Sequence, residues 1–320
     1  MPKLTMVQAL NSALKGEMER DKDIVVLGED VGKDGGVFRV TEGLLERFGS
    51  ERVIDTPLSE SGIVGAAIGM AVSGLRPVAE IQFMGFIYPA FDQIFTHAAR
   101  IRSRSRGRYT CPLVVRVPYG IGIKSPELHS ESSEAFFCHM PGIKVVVPAS
   151  PYHAKGLLVA AIRDPDPVIF LEPTRLYRLI KEEVPDDMYT IPLGKARIVQ
   201  EGDEMTVIAW GSMLHKTVQA VEGFDAEVID LMTLNPFDAA TVLTSVKKTG
   251  RVVIVHEAPK TCGFGAELSA TIAEDAMLSL KGPILRVTGP DVVVPLPKLE
   301  DYYAPSVERI RKALEEIMKY

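Results

Sequence analysis

Residues 52–83 read RVIDTPLSESGIVGAAIGMAVSGLRPVAEIQF, two β-branched runs separated by a stretch made mostly of Gly, Ala, Ile, Val and Met. The first run, RVIDTP, and the last, PVAEIQF, predict strands, and Ser61 to Ser73 between them predicts a helix. Both runs are near-continuous in apolar residues, as strands of a parallel sheet covered on both faces are. Between Asp55 and Arg76 the only charged side chain is Glu60. Local physics leaves it two readings. In the first turn of the helix an acid is favoured by the macrodipole and by capping. As a reactive group it is held between opposed effects, the helix terminus lowering its pKa and burial beside Ile63 and Val64 raising it, so that it can share a proton with a buried heterocycle nitrogen.

The same alternation continues in both directions. DIVVLGED, PLVVRVP, IKVVVP and PVIFLE are further strand-like runs, and Ala90 to Ser103 and Pro151 to Arg163 are helical, the last with Pro at its start. Residues 172–195, EPTRLYRLIKEEVPDDMYTIPLGK, are charged and carry three prolines, which predicts an interdomain linker. A second series follows, with strands MTVIAWGS, AEVIDL, RVVIVHEA and PILRVTGP and helices HKTVQAVEGF, FDAATVLTSVKKTG, FGAELSATIAEDAML and SVERIRKALEEIMKY. The predicted fold class is therefore α/β, two tandem open, mostly parallel α/β domains, residues 1–185 and 186–320.

With 320 residues and 46% hydrophobic content, the chain can bury two ordinary cores. Its net charge of −6, from 36 basic and 42 acidic residues, excludes a general affinity for nucleic acid or an anionic membrane. Cys111, Cys138 and Cys262 are too few and too scattered for a disulfide framework or a zinc site, which points to a reducing compartment. The opening residues read as an amphipathic helix rather than a leader, and no span of 18 apolar residues follows, so a cytoplasmic protein is expected.

Several motifs carry possible chemistry. GEDVGKDGG follows a strand but lacks both the GxGxxG order and a Walker signature, so a nucleotide site is not indicated. CGFGAE opens a helix and fits close helix–sheet packing or an anion cradle. RIRSRSRGR places Arg100, Arg102, Arg104, Arg106 and Arg108 at alternate positions, a solvated face, a subunit contact or, on one extended edge, a positive patch for an acidic partner. His129, in SPELHSESSEAFF, lies in a polar loop after a strand, where open α/β sheets place reactive groups and where surface histidines are also common. No GxSxG elbow accompanies it, so a serine-hydrolase triad is not supported.

In combination, DTPLSESGIVGAAIGMAVSGLRPVAEIQF, PAFDQI, LHSESSEAFFCHMPGIKVVVPASPYHAKGLL, IRDPDPVIFLEPTRLYR and GRVVIVHEAP make a pattern. In this order, over essentially the whole chain, it resembles the beta subunit of the thiamine-diphosphate-dependent decarboxylase component of 2-oxo acid dehydrogenase complexes. The resemblance implies a pyrimidine-binding domain followed by a transketolase C-terminal-like domain. It implies that Glu60 hydrogen-bonds a ring nitrogen of the cofactor's aminopyrimidine and favours its imino tautomer, which activates the thiazolium carbon for attack on a 2-oxo acid. His129 is implied in proton handling or positioning during acyl transfer to a lipoyl group. Leu58, Gln82 and Phe86 are implied as pyrimidine-site contacts, Phe86 standing where branched-chain members usually have Tyr. A structural potassium ion is implied on backbone carbonyls of Leu113, Ala161, Ile162, Asp164 and Asp166.

The family holds the diphosphate and its magnesium through a GDG motif, and this sequence has none. The resemblance accordingly implies half a catalyst, completed by a separate alpha subunit in an assembly of two alpha and two beta chains. The small residues Gly62, Gly65, Ala66, Ala67, Gly69, Ala71 and Gly74 then suit a buried subunit interface, which would offset the cost of up to about 1 kcal/mol per interior Gly. The second domain is expected to build the beta–beta contact and to dock the dihydrolipoyl acyltransferase core. SSEAFFCHMPG is closer to the branched-chain form of the family, so a branched-chain 2-oxo acid is the first expectation, with pyruvate and acetoin as alternatives. A split transketolase-like half is a second enzymatic reading, and a non-catalytic scaffold a third.

Overall fold

Runs of Val, Ile and Leu buried on both faces form the sheets of a computed structural model that describes residues 2–320. The largest sheet has seven strands in the order Thr233–Asn235, Lys144–Val146, Val168–Pro173, Val114–Tyr119, Arg76–Glu80, Ile24–Gly28 and Val53–Asp55. All neighbours in it are parallel except the edge strand Thr233–Asn235, which runs antiparallel to Lys144–Val146. The second sheet runs Ile284–Gly289, Val252–Pro259, Met205–Ala209, Ala226–Asp230 and Arg197–Gln200, with the last strand antiparallel. Helices cover both sheets in the doubly wound manner that parallel strands require. Two mostly parallel α/β units in tandem are thus what the apolar runs build.

Local signals explain the helix ends. Thr5 and Gln8 form a reciprocal capping box at the start of Met6–Arg20. Pro151 opens Pro151–Arg163 with Ser150 as its cap, and Gly250, at φ 76°, closes Ala239–Thr249 in the left-handed conformation. The helix after the Val53–Asp55 strand spans Glu60–Val72. Its buried face is Ile63, Val64, Ala67, Ile68 and Ala71, and its Gly62, Ala66 and Gly69 face solvent in the isolated chain.

Three expectations change in space. Ala90 to Ser103 is not one helix: a 3-10 segment Met84–Ala90 containing Pro89 leads into a π-helical turn, Asp92–His97, and only Ile101–Arg104 is α-helical. The widened turn brings Phe91 and Phe95 together over Phe137, with ring centroids 5.3 and 5.8 Å from it. The arginines that follow lie on a helical turn and a reversal at Arg106 and Gly107, not on an extended edge. Arg102 pairs with Asp166, Arg104 meets His97, and Arg108 covers Tyr109, so of these three only Arg102 is matched by an acid.

Residues 172–195 are the third case. Instead of a free linker they form a strap on the first unit, because their apolar residues find partners there. Glu182–Glu183 pairs with Lys3–Leu4, Tyr189 stacks on Tyr152 at 4.7 Å, and Met188, Ile191 and Leu193 pack on the first core. The two units also share a continuous apolar cluster in which Tyr119, Phe137 and Ile143 meet Trp210, Leu234 and Phe264. Together with the Thr233–Asn235 strand, this makes the junction near residue 185 a division in sequence more than in space.

Candidate active site

Four neighbouring strands of the large sheet release their chains on the same side, at their carboxyl ends, the edge where open α/β sheets bind ligands. After Gly28 come Glu29 and Asp30; after Asp55 come Leu58 and Glu60; after Glu80 come Gln82, Phe83 and Phe86; after Tyr119 comes the loop with His129. Glu60 is the first residue of its helix, half-buried, and Ser59 before it makes no side-chain cap bond. The capping-box explanation therefore fails here: the third helical position is Gly62, which has no side chain to reach back. The Glu29 carboxyl is pushed above the usual carboxylate range, first by burial and then by the negative charges of Glu60 and Asp30. Gln82 Nε2 donates to Asp30 Oδ2 at 3.0 Å. Three acids gathered at one strand edge suit a ligand that offers hydrogen-bond donors.

An aromatic wall stands beside them. The His129 ring lies 4.3 Å from that of Phe83 and 5.0 Å from that of Phe86, and Phe83 also meets Phe38 at 5.6 Å. His129 Nδ1 is 2.8 Å from the Glu127 carbonyl, which places its proton on Nδ1 and leaves Nε2 as the nitrogen able to accept. The His129 loop is seated on Gly85, whose N–H donates to the Leu128 carbonyl at 2.9 Å. Leu58 is 79% exposed in the chain alone, an apolar side chain with nothing yet to cover it. Beneath the site, buried Arg116 bridges Glu80 at 2.7 Å and Glu172 at 2.7 and 2.9 Å, while Tyr177 donates to Glu172 at 2.6 Å. Burial works against the Arg116 charge, but the Glu172 and Glu80 carboxylates outweigh it and hold its pKa up.

Residues 2–180 match the family described as transketolase, pyrimidine binding domain, and residues 194–310 match transketolase, C-terminal domain. The pyruvate dehydrogenase E1 component subunit beta of Acholeplasma laidlawii is 51% identical over 321 residues, 99% of this chain and 98% of that protein. The chain belongs to the family of 2-oxo acid dehydrogenase beta subunits. The protein of the same name from Bacillus subtilis is 48% identical over 324 residues, 98% of this chain and all of that protein. A solved split-gene transketolase, described as an inactive beta4 tetramer, shares the fold with a TM-score of 0.81 and 21% identity over 99% of both chains. Both beta-subunit relatives carry the name pyruvate dehydrogenase rather than the branched-chain type that the SSEAFF motif led us to expect.

For this beta chain, the strand edge brings together four of the residues singled out in the sequence, Leu58, Glu60, Gln82 and Phe86, with His129 packed on Phe86. The donor set fits the aminopyrimidine of thiamine diphosphate: carboxylates that can exchange a hydrogen with a ring nitrogen, and flat apolar surfaces that can cover a ring. Glu29, Asp30, Phe38 and Phe83 were not singled out. The signal was present in GEDVGKDGG, a glycine-rich loop with two acids straight after a strand, but only the sheet order shows that this loop adjoins Glu60.

The residues linked to potassium lie apart from this edge, where the Pro151–Arg163 helix ends and its chain re-enters the sheet. The Val168 N–H donates to the Leu113 carbonyl at 2.9 Å, the Asp164 N–H to that of Ala161 at 3.2 Å, and Arg76 Nη1 to that of Ile162 at 3.0 Å. Lys144 Nζ sits 2.6 and 2.7 Å from the Asp164 carboxylate, and Arg102 Nε 2.6 Å from that of Asp166. Each carbonyl keeps a second lone pair, so a monovalent cation is compatible with the cluster. Side-chain ligands do not make such a site, since no group of three or more His, Cys, Asp and Glu among the described residues can hold a metal ion. Cys111, Cys138 and Cys262 are all free thiols. No helix among the described residues is long and apolar enough to cross a membrane.

Proposed function

We propose that this beta chain supplies the pyrimidine half of a thiamine-diphosphate site in an assembly of two alpha and two beta chains. The reaction is oxidative decarboxylation of a 2-oxo acid with transfer of the acyl group to a lipoyl carrier. The observation that carries the reading is the uncapped Glu60 at the mouth of its helix, among Glu29, Asp30 and Gln82 and near the aromatic wall that bears His129. Thiamine diphosphate, when bound, supplies the nucleophilic carbon and the electron sink that loss of carbon dioxide needs. Glu60 holds a proton at the pyrimidine ring nitrogen, and Leu58 and Phe86 cover the ring and exclude water. His129 holds or moves a proton through Nε2 during acyl transfer.

The diphosphate and magnesium fall to the alpha subunit, because the beta sequence has no GDG motif. The second domain provides the contact with the other beta chain and with the dihydrolipoyl acyltransferase core. A cytoplasmic location and a structural potassium ion complete the proposal; the ion predicts a higher melting temperature in potassium chloride than in tetramethylammonium chloride, and equal temperatures would remove it.

Pyruvate is the proposed substrate, supported by the names of relatives at 51% and 48% identity. A branched-chain 2-oxo acid is the second reading, supported by SSEAFFCHMPG. Co-expression with an alpha-type partner, followed by assays of pyruvate, 3-methyl-2-oxobutanoate and acetoin with an artificial electron acceptor, separates these. Full activity of the isolated chain with thiamine diphosphate would sink the half-site argument, and inactivity of the assembled enzyme toward all three would favour the scaffold or the split transketolase.

A further inference from the structure

The loop that carries His129 leaves the first unit's sheet at Gly120, and the second unit holds both of its ends. The Ile121 N–H donates to Glu257 Oε1, and the same oxygen accepts from Ser132 Oγ at 3.4 Å. Glu257 Oε2 accepts from Ser212 Oγ at 2.7 Å, which ties the carboxylate to the start of the helix Ser212–Ala220. The Gly122 N–H donates to Glu300 Oε1 at 2.9 Å. Glu257 is 3% exposed and Ile121 1%, so their bond is sealed from bulk water, whereas Glu300 is buried but its donor Gly122 is exposed. The fit at the loop root is close: Gly120 has φ +79°, and a Cβ there would stand 2.7 Å from Glu257 Oε1.

The loop also closes on itself, since the Gly120 N–H donates to the Glu131 carbonyl at 2.9 Å. One buried carboxylate therefore receives the beginning and the end of a loop whose middle bears the imidazole. With Glu257 ionised the bond from the Ile121 N–H is charge-assisted, a class roughly twice as strong as neutral bonds, and the Ser132 contact at 3.4 Å is the longer and weaker of the two. By contrast, Lys124 pairs with Asp301 at the surface, with both side chains more than half exposed, and such a pair adds little order.

We infer that Glu257 is a positioning residue for His129: from the second unit it fixes Ile121 and Ser132, and through them the seating of the imidazole against Phe83 and Phe86. The inference rests on the reading of His129 given above. It gives the C-terminal unit a part in the chemistry of a site that lies on the first sheet.

The test uses the assembled enzyme with Glu257→Ala, Glu257→Gln, His129→Ala and the Glu257→Ala/His129→Ala double variant. Decarboxylation with an artificial acceptor, acyl transfer to a lipoyl domain and KM for the 2-oxo acid are measured separately, with amide hydrogen exchange across residues 120–133. Glu257→Ala should slow acyl transfer on the order of 10- to 100-fold, as displaced catalytic groups do. KM should stay unchanged and exchange across the loop should quicken. Glu257→Gln, which keeps an acceptor for Ile121, should recover most of the rate, and Glu257→Ala should add nothing in the His129→Ala background. Undiminished rates in His129→Ala alone would overturn the reading of His129. An impaired His129→Ala with additive loss in the double variant, or unchanged exchange in Glu257→Ala, would overturn the clamp alone. If Glu257→Ala does not assemble, Ser132→Ala frees one end of the loop and carries the same readouts with the same expected directions.

Discussion

At the residue scale, Glu60 shows how far local physics reaches. Its position in the first turn is compatible with a helix-start role, but Ser59 makes no cap bond, and the Glu60 charge instead helps to raise the half-buried Glu29 carboxyl. Glu60→Gln should lower turnover by about 100-fold or more, the scale of a lost proton-transfer group, with little change in melting temperature. A large thermal loss with unchanged turnover would restore the helix-start role. Glu134 yields a second prediction. Its carboxyl is fully buried, Oε2 has no partner, and Oε1 accepts from Trp210 Nε1 at 3.3 Å. Burial chiefly, with the Glu257 charge adding to it, pushes its pKa from 4.5 up to about 7. Between those values the folded chain keeps a proton that the unfolded chain has released. The group's contribution is therefore whole below pH 4.5, falls as pH rises, and is lost above about 7, by about 3 kcal/mol in all. Glu134→Gln should remove that slope, so thermal melts of the two proteins should diverge from pH 5 to pH 8 with the variant higher at the alkaline end; parallel curves would show that Glu134 does not titrate there.

Elements position these groups through close contacts that no side chain announces. The 3-10 segment Met84–Ala90 presents Gly85 to the His129 loop, and a Cβ on Gly85 would lie 2.3 Å from the Leu128 carbonyl oxygen and 2.9 Å from Leu128 Cα. Backbone cannot yield as a flexible side chain does. Gly85→Ala should displace the loop and cost acyl transfer as much as about 100-fold, and exchange across residues 120–133 should quicken with it; an unaltered rate would show that the loop tolerates the shift. The helix Glu60–Val72 was legible in sequence because its length and apolar character demand burial. Which of its small residues serve its own core was not: Ala67 and Ala71 do, while Gly62, Ala66 and Gly69 stay exposed. Periodicity reports faces, and the partner of a face comes from the packing. The Ala90 to Ser103 stretch failed as a single helix for a related reason, since its aromatic contacts with Phe137 are set by another element.

For the whole molecule, the exposed small-residue face of Glu60–Val72 leaves room for another chain, as the proposed assembly with an alpha subunit calls for. Ala66→Leu should leave the melting temperature of the isolated beta chain unchanged and weaken assembly with the alpha subunit, read by size-exclusion chromatography of the co-expressed pair; intact assembly would place the alpha contact elsewhere. The sequence by itself determined the α/β class, the tandem arrangement, the family and the identity of Glu60 and His129 as candidates, because these follow from apolar periodicity and from long motifs in order. Only the tertiary structure decided that Glu29, Asp30 and Phe83 share an edge with them, that the strand Thr233–Asn235 joins the first sheet, and that Glu257 reaches the His129 loop from 125 to 136 residues away along the chain. Strand order and interdomain contact are choices among crossovers of similar local pattern, and they are settled by which surfaces pack, information that no single stretch of sequence contains.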